Sequence, residues 1–177
     1  EEEVIGVNTE LFDPGKLVLP NSYAPNDPAA SQTFVCWLRS GHGSIAMVQA
    51  IAQSCDVYFY QVGGGNPEVS EAALRPGGLG INDLYRYATA FGVGSELGIE
   101  LPSESAGRMP DPDWKRRTEG ENWSTGDTYN AAFGQGYVIT TVLQLVNAVA
   151  AIANGGTVYQ PTIVHSFLDG EGNILEG

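Results

Sequence analysis

The chain has 177 residues, with 21 acidic side chains against 8 basic ones and a formal charge of −13 at pH 7. This excess of negative charge argues against a partner with a phosphate backbone, so we expect no nucleic-acid binding, and against docking on an anionic membrane through a basic patch. Hydrophobic residues make up 42% of the chain, enough for a folded core. With 23 glycines and 10 prolines, we expect a loop-rich domain built from short elements.

The first part of the chain predicts two short strands and a broken helix. Turn-forming residues enclose a strand at Lys16–Leu19, and the β-rich run at residues 33–38 predicts a second strand. Apolar residues recur at helical spacing over residues 45–62, with Ser44 as the expected N-cap. Polar residues at 53–56 interrupt the good helix formers, so we expect two helices with a kink between them.

The remaining sequence predicts two more helices and a hairpin. Residues 81–91 carry apolar side chains along one helical face and are followed by a glycine stop. Residues 92–139 are rich in proline and glycine, so we expect them to be mostly irregular, which in a compact domain is usually functional. Thr140 or Thr141 is the expected N-cap of a third helix, and the turn residues 169–173 predict a hairpin near the end of the chain.

The cysteines and histidines are few. Cys36 and Cys55 are the only cysteines, and His42 and His165 are the only histidines. A small secreted fold held together by disulfides carries more cysteines, so we expect two free, largely buried thiols. Two widely separated histidines are too few for a histidine-based metal site, so we expect no metal and no cofactor. His42, between two glycines, is interpreted as a turn residue rather than a catalytic one.

One tripeptide, Ser54-Cys55-Asp56, places a hydroxyl and a carboxylate at the break between two predicted helices. A serine at such a junction can pass a proton, and a neighbouring polar side chain can orient a substrate amide. The same two side chains can instead satisfy backbone groups at a kink. Taken alone, the tripeptide favours this structural interpretation.

The order of short motifs along nearly the whole chain changes that interpretation. The motifs are Cys36-Trp37, Gly41-His42-Gly43-Ser44, Ser54-Cys55-Asp56-Val57-Tyr58-Phe59-Tyr60-Gln61, Phe91-Gly92-Val93-Gly94, Gly98-Ile99-Glu100-Leu101-Pro102, Gly126-Asp127-Thr128, Gly134-Gln135-Gly136-Tyr137, residues 140–144 and Ala153-Asn154-Gly155-Gly156. As an ordered series they closely resemble the transpeptidase domain of class B penicillin-binding proteins, in particular the elongation-type branch. The resemblance implies a mainly α fold with short strands (α+β), the helical portion of a penicillin-binding protein and β-lactamase-like domain.

Members of this family are DD-transpeptidases, which cross-link peptidoglycan stem peptides through a serine acyl-enzyme and are inhibited when β-lactams acylate that serine. Their site combines Ser-x-x-Lys, Ser-x-Asn and Lys-Thr-Gly motifs. Ser54-Cys55-Asp56 matches the second motif, with Asp in place of Asn, as in elongation-type members. By that match Ser54 shuttles a proton between the catalytic lysine and the leaving amine, and Asp56 stands where the side chain contacts the substrate amide.

The resemblance also implies a supporting element and one large departure. Gly134, Gln135 and Gly136 are expected to form a tight turn behind the site, with Gln135 bonding backbone. The only lysines, Lys16 and Lys115, belong to neither a Ser-x-x-Lys nor a Lys-Thr-Gly motif. We therefore expect residues 1–177 to be a partial transpeptidase domain, an internal fragment that is inactive by itself.

These implications set the expected partners and location. Peptidoglycan stem peptides and β-lactams are expected to bind through the complete parent protein, and the fragment is expected to pack against the remainder of the domain. Because the central sheet is largely absent, some apolar helix surface should be exposed or covered by a partner chain. The parent is expected to be membrane-anchored at the extracytoplasmic face of the bacterial cell membrane, and the fragment itself to be soluble.

Two alternatives remain open at this point. The chain could be a non-catalytic cell-wall binding module on the same fold, and such a module would also lack the Ser-x-x-Lys motif with its nucleophile. A β-lactam sensor or a β-lactamase would share the fold and the serine chemistry of the complete parent, and rapid deacylation would distinguish a β-lactamase.

Overall fold

In a computed structural model, which describes residues 2–176, the chain divides into two compact units. The first comprises the chain up to Tyr85 together with Pro110–Tyr137, and the second comprises Arg86–Met109 together with the chain from Val138 onward. Helices predominate and the strands are short, which confirms the predicted α+β class. The elements in chain order are β1 (Glu10–Asp13), β2 (Lys16–Leu19), a 3-10 turn (Pro28–Ala30), β3 (Gln32–Val35), β4 (Gly43–Ala46), α1 (Met47–Ala52), α2 (Asp56–Gly64), α3 (Gly80–Ala90), α4 (Pro112–Thr118), α5 (Thr125–Ala132), α6 (Val142–Ala153), β5 (Phe167–Leu168) and β6 (Ile174–Glu176).

Two antiparallel strand pairs, β1 with β4 and β2 with β3, belong to the first unit. In the first pair Leu11 lies opposite Ile45, and both side chains are buried. Helices α2 and α5 pack directly on each other, and a Cβ atom on Gly63 would lie only 2.3 Å from Cβ of Ala132. A glycine at this position therefore allows the two helices to approach closely.

An aromatic cluster fills the contact between these two helices and β3. The ring of Phe34 meets that of Tyr129 edge to face with centroids 5.0 Å apart, and the rings of Tyr60 and Phe133 meet in the same way at 5.2 Å. The Tyr129 hydroxyl donates a hydrogen bond of 2.8 Å to the carbonyl of Gly65. Edge-to-face pairs add to the free energy gained by burial, and the hydroxyl has its partner, so this contact determines where α2 lies.

The N-cap of α6 agrees with the sequence prediction. The Thr141 hydroxyl accepts the Gln144 backbone N–H at 3.1 Å, and Oε1 of Gln144 accepts the Thr141 N–H at 2.9 Å. The buried Gln144 amide also donates to the carbonyls of Ser95 and Ala106, both at 2.8 Å. This reciprocal capping box starts the helix at the residue that the sequence indicated.

Much of the apolar surface of α6 is exposed, in keeping with the expectation of exposed apolar helix surface. The exposed apolar side chains of the helix are those of Val142, Leu145, Val146, Val149 and Ile152. Contiguous apolar surface on a helix marks an interaction site in soluble proteins. Within residues 2–176, no helix is both long enough and apolar enough to cross a membrane.

Residues 92–139 are mostly irregular, as predicted, but two short helices that the sequence analysis did not predict, α4 and α5, lie within them. Helix α4 begins where Asp111 accepts the Trp114 N–H at 2.6 Å and Pro112 occupies the first helical position. Helix α5 begins with a capping box between Ser124 and Asp127. Both helices are short, so their apolar periodicity is weak and only the capping residues indicate them.

Other helix and strand boundaries also differ from the predicted ones. The break between α1 and α2 is confirmed, but Ser44 lies inside β4 and does not cap a helix. Helix α1 instead begins at Met47, where the Gln49 side chain accepts the Ala46 N–H at 3.2 Å. The strand predicted at residues 33–38 ends at Val35, and the hairpin is confirmed as the β5–β6 pair.

A buried ion pair joins α4 to α5. Lys115 is only 5% exposed. Its ammonium lies 2.7 Å from Oδ2 of Asp127, which also accepts the Ser124 N–H at 2.8 Å. Burial alone lowers the pKa of Lys115 and raises that of Asp127. The hydrogen bond and charge of the partner, together with Glu121 and Tyr137 for Lys115 and Ser124 for Asp127, outweigh burial and shift both pKa values the other way. Each group therefore holds the other in its charged form.

We expect Lys115→Met to lower the free energy of unfolding by about 3 kcal/mol, because it leaves the Asp127 carboxylate buried without its partner. Since the pKa of Asp127 is lowered in the folded state, the contribution of the pair is present above about pH 4 and is lost as the pH falls through the lowered value. Urea denaturation at several pH values measures both effects. Arg116→Met, which removes the exposed pair with Asp113, is the matched control and should cost under about 0.5 kcal/mol.

Candidate functional site

Ser54 and Asp56 lie at the turn between α1 and α2. Ser54 is exposed and has a φ of 51°, while Asp56 is the first residue of α2. Both line an open depression of about 320 Å³. The rest of its lining is apolar and comes from Ile51, Phe59, Ala132 and Phe133. The turn therefore presents a hydroxyl and a carboxylate at the edge of an apolar surface.

The cap of α2 orients these two side chains. Cys55 is the N-cap, and its Sγ accepts the Tyr58 N–H at 3.4 Å. Oδ2 of Asp56 accepts the backbone N–H of Trp37 at 2.8 Å. A carboxylate in the first turn also interacts favourably with the positive end of the helix dipole. Asp56 is thus held as a hydrogen-bond acceptor at the rim of the depression.

Gly134 and Gly136 flank Gln135 in a tight turn after α5. Both glycines have positive φ values, 80° and 68°, and the backbone N–H of Gln135 donates to the carbonyl of Asn130 at 2.9 Å. The residues of this turn are exposed, and Gln135 is not part of the lining that contains Ser54. A supporting role for Gln135 through its side chain therefore stays a prediction.

Four ligating side chains meet below the turn, a cluster that the sequence analysis did not anticipate. Asp13, Cys36, His42 and Cys55 each offer a ligand atom, and these atoms all lie within 4.8 Å of one another. Asp13 Oδ2 is 2.7 Å from His42 Nδ1 and 3.2 Å from Cys55 Sγ, and Cys36 Sγ is 3.5 Å from His42 Nδ1. The cluster therefore links β1, the segment between β3 and β4, and the N-cap of α2.

The prediction of two free, buried thiols is confirmed, since Cys36 and Cys55 are both buried and unbridged. His42 was interpreted as a turn residue, yet its side chain is only 1% exposed, like that of Asp13. Its Nε2 atom is buried and has no hydrogen-bond partner among the described residues, so the polar contacts of the ring are directed at the cluster.

Burial and hydrogen bonding within the cluster shift the pKa values of Cys55 and Asp13 in opposite directions. Burial raises the pKa of the Cys55 thiol, and the nearby Asp13 carboxylate raises it further, so this thiol is not an activated nucleophile. Burial also acts to raise the pKa of Asp13, but its hydrogen bonds with His42, Gly15 and the thiols outweigh burial and lower it. Asp13 is accordingly a buried carboxylate kept charged by the donors around it.

Comparison with known families decides the identity of the fold. The family model of the penicillin binding protein transpeptidase domain matches residues 4–174. The chain belongs to the penicillin-binding protein transpeptidase family.

Relatives of this transpeptidase chain are elongation-type enzymes. It is 35% identical over 175 residues to the peptidoglycan D,D-transpeptidase MrdA of Haemophilus influenzae, covering 99% of this chain and 23% of that protein. It is 32% identical over 163 residues to MrdA of Escherichia coli K12, covering 92% of this chain and 22% of that protein. The chain thus spans about a quarter of the length of these relatives.

Solved structures of the same family share the fold. Pseudomonas aeruginosa PBP2 in complex with WCK 5153 superposes with a TM-score of 0.77 at 30% identity, covering 97% of this chain and 33% of that one. Helicobacter pylori PBP2 in complex with MreC superposes with a TM-score of 0.71 at 30% identity, covering 89% and 25% of the two chains. The helical, strand-poor architecture is therefore that of one part of a transpeptidase domain.

The donor set of the cluster fits zinc. Zinc binds thiolate, imidazole and carboxylate at about 2.0–2.3 Å, and the atoms of a tetrahedral shell then lie about 3.3–3.8 Å apart. The separations of 3.2 Å and 3.5 Å are close to that range, whereas the 2.7 Å between Asp13 and His42 is a hydrogen-bond distance that would widen around an ion. Four protein ligands without an open position are typical of a structural site rather than a catalytic one. The residue types are visible in the sequence, but their distribution over three segments conceals them.

We expect the complete protein to contain about one zinc ion per chain, measured by elemental analysis after purification without added metal. Chelation should lower the melting temperature by roughly 10 °C, because a ligand bound only to the folded state stabilises it by about 4 kcal/mol at a thousandfold excess over its Kd. His42→Ala should lose the zinc, whereas His165→Ala, at the exposed second histidine, should retain it. The prediction is contradicted if the purified protein contains no metal and its melting temperature changes with neither added zinc nor chelator.

Proposed function

We propose that this chain forms the part of a peptidoglycan D,D-transpeptidase that carries the second catalytic motif. The observation that supports this most directly is the position of Ser54 and Asp56, side by side at the rim of one open depression. The relatives named as D,D-transpeptidases cover nearly the whole chain, which supports the same reaction.

In the proposed reaction, Ser54 relays a proton. A serine and lysine outside this chain form the acyl-enzyme, and the Ser54 hydroxyl passes a proton between that lysine and the leaving amine. Asp56 accepts a hydrogen bond from the amide of the bound stem peptide. The chain's own lysines take no part, since Lys115 pairs with Asp127 and Lys16 lies exposed on β2. By itself the chain performs no acyl transfer by this route.

The rest of the transpeptidase domain is the proposed occupant of the apolar surface of α6. Val142, Val149 and Ile152 are 65–79% exposed, which is unfavourable for a surface that stays in water. Packing of further chain on this face would remove it from solvent. This agrees with the share of the relatives' length that lies outside the segment.

Substrate and location follow from the proposed activity. The complete protein would bind peptidoglycan stem peptides, and β-lactams as their mimics, at the extracytoplasmic face of the cell membrane, where a membrane anchor outside this chain would hold it. The Pseudomonas aeruginosa and Helicobacter pylori PBP2 structures were solved with WCK 5153 and with MreC. Contacts of the same kind are proposed for this protein only through its complete form.

We expect Ser54→Ala in the complete protein to slow acylation by a fluorescent penicillin by a factor of about 10²–10⁴, the usual contribution of a proton-transferring side chain. Stopped-flow fluorescence measures the rate. Ser54→Gly removes the same hydroxyl but relaxes the positive φ, so an equal loss in both variants assigns the effect to the hydroxyl rather than to backbone strain.

Ser44→Ala is the matched control, because it removes an exposed hydroxyl from β4. Its acylation rate should equal that of the unmodified protein. Full acylation of Ser54→Gly would contradict the proposed role of Ser54. Absence of acylation in the unmodified complete protein would favour a non-catalytic binding module, and rapid deacylation would favour a β-lactamase.

A further inference from the structure

The turn that carries Ser54 is strained. Its φ of 51° lies in the left-handed region, which costs a non-glycine residue about 1 kcal/mol. Local backbone bonds hold the two sides of the turn, from Gln53 N–H to the Gln49 carbonyl at 2.8 Å and from Cys55 N–H to the Ala50 carbonyl at 2.9 Å. Such a conformation persists only where the surroundings over-determine it.

Trp37 supplies contacts from outside the turn, on both sides of Ser54. Its indole Nε1–H donates to the carbonyl of Gln53 at 2.9 Å, immediately before Ser54. Its backbone N–H donates to Oδ2 of Asp56 at 2.8 Å, two residues after Ser54. One residue thus holds the peptide before the proposed proton relay and the carboxylate beyond it.

The position of Trp37 is fixed by contacts of its ring and of the preceding residue rather than by burial in the core. The residue is 60% exposed, so packing in the core cannot explain a tryptophan here. The preceding residue, Cys36, is anchored by its N–H to the Gly15 carbonyl at 2.9 Å. The indole also meets the buried ring of His42 edge to face at 5.5 Å.

We propose that Trp37 is a positioning residue for the second motif, holding Ser54 and Asp56 in their reactive arrangement. The inference rests on the proposed function. Without the indole N–H, the Gln53 carbonyl is released and Ser54 can relax from its left-handed conformation. Its hydroxyl then moves relative to the lysine and the leaving amine, and small displacements of a catalytic group cost large factors in rate. Trp37 therefore acts on the rate of acylation rather than on the affinity for the ligand.

The test is Trp37→Phe in the complete protein. The concentration dependence of acylation by a β-lactam separates the rate constant of acylation from the Kd of the non-covalent complex. We expect the rate constant to fall by about tenfold or more, with the Kd changed by less than about threefold and the melting temperature nearly unchanged. A loss confined to the Kd, or none at all, overturns the proposal.

Two further variants make the assignment specific. Trp123→Phe removes a comparable indole bond, from Nε1 to Oγ1 of Thr128 at 2.8 Å, and should leave both constants unchanged. Trp37→His places Nε2 as many bonds from the chain as Nε1 of the indole, so it should recover part of the rate that Trp37→Phe loses. Failure of this rescue in a folded variant counts against the hydrogen bond to Gln53.

A double-mutant cycle decides whether Trp37 acts through Ser54. In the Ser54→Ala background, Trp37→Phe should have little further effect on the rate constant, because the group that it positions is gone. An undiminished effect there overturns the proposal while leaving the transpeptidase function intact. Absence of acylation in the unmodified protein instead overturns the proposed function, so the two failures are distinguishable.

Discussion

The site depends on the hydrogen bonds that the buried carboxylate of Asp13 accepts. Removing a carboxylate from water costs several kcal/mol unless donors replace the solvent. Here they are the Gly15 N–H at 2.6 Å, the His42 N–H at 3.1 Å, the His42 ring at 2.7 Å and the Cys55 thiol at 3.2 Å, and a bound zinc ion would take the place of the last two. These donors come from the turn after β1, the segment before β4 and the N-cap of α2. The charge therefore requires those three segments to meet.

The consequence for function is that the site is positioned by residues that do not line the depression. Cys55, which donates to Asp13, separates Ser54 from Asp56, so the N-cap of α2 connects the buried cluster to both side chains. Cys36 belongs to the same cluster and precedes Trp37, which holds the turn from the other side. The buried cluster and the second motif are therefore joined through residues that are directly adjacent in the chain, Cys36 to Trp37 and Cys55 to Ser54 and Asp56.

The parts of this structure differ in how far the sequence predicts them, and the range of the interactions explains the difference. Helix α6 was predictable because its Thr141 cap, its apolar spacing and its glycine stop are all local. Helices α4 and α5 were missed, because the ion pair of Lys115 and Asp127 that stabilises them joins two segments of weak periodicity. Ser54 and Asp56 were predicted as site residues from the order of motifs along the chain. The contacts of Trp37 with Gln53 and Asp56 were not, since nothing local to either segment indicates them.

The aspartate at position 56 also defines the polarity of the proposed subsite. An asparagine there could accept the Trp37 N–H with its carbonyl oxygen and offer its amide as a donor. Asp56 makes the same bond through Oδ2, and its other oxygen is again an acceptor. A ligand group that meets this side chain must therefore bring a hydrogen, as the peptide N–H of a stem peptide does. When asparagine and aspartate replace each other at position 56, the hydrogen bond to Trp37 persists, but the group presented to the ligand changes from a donor to an acceptor. Position 56 can therefore select ligands without disturbing the turn that holds Ser54.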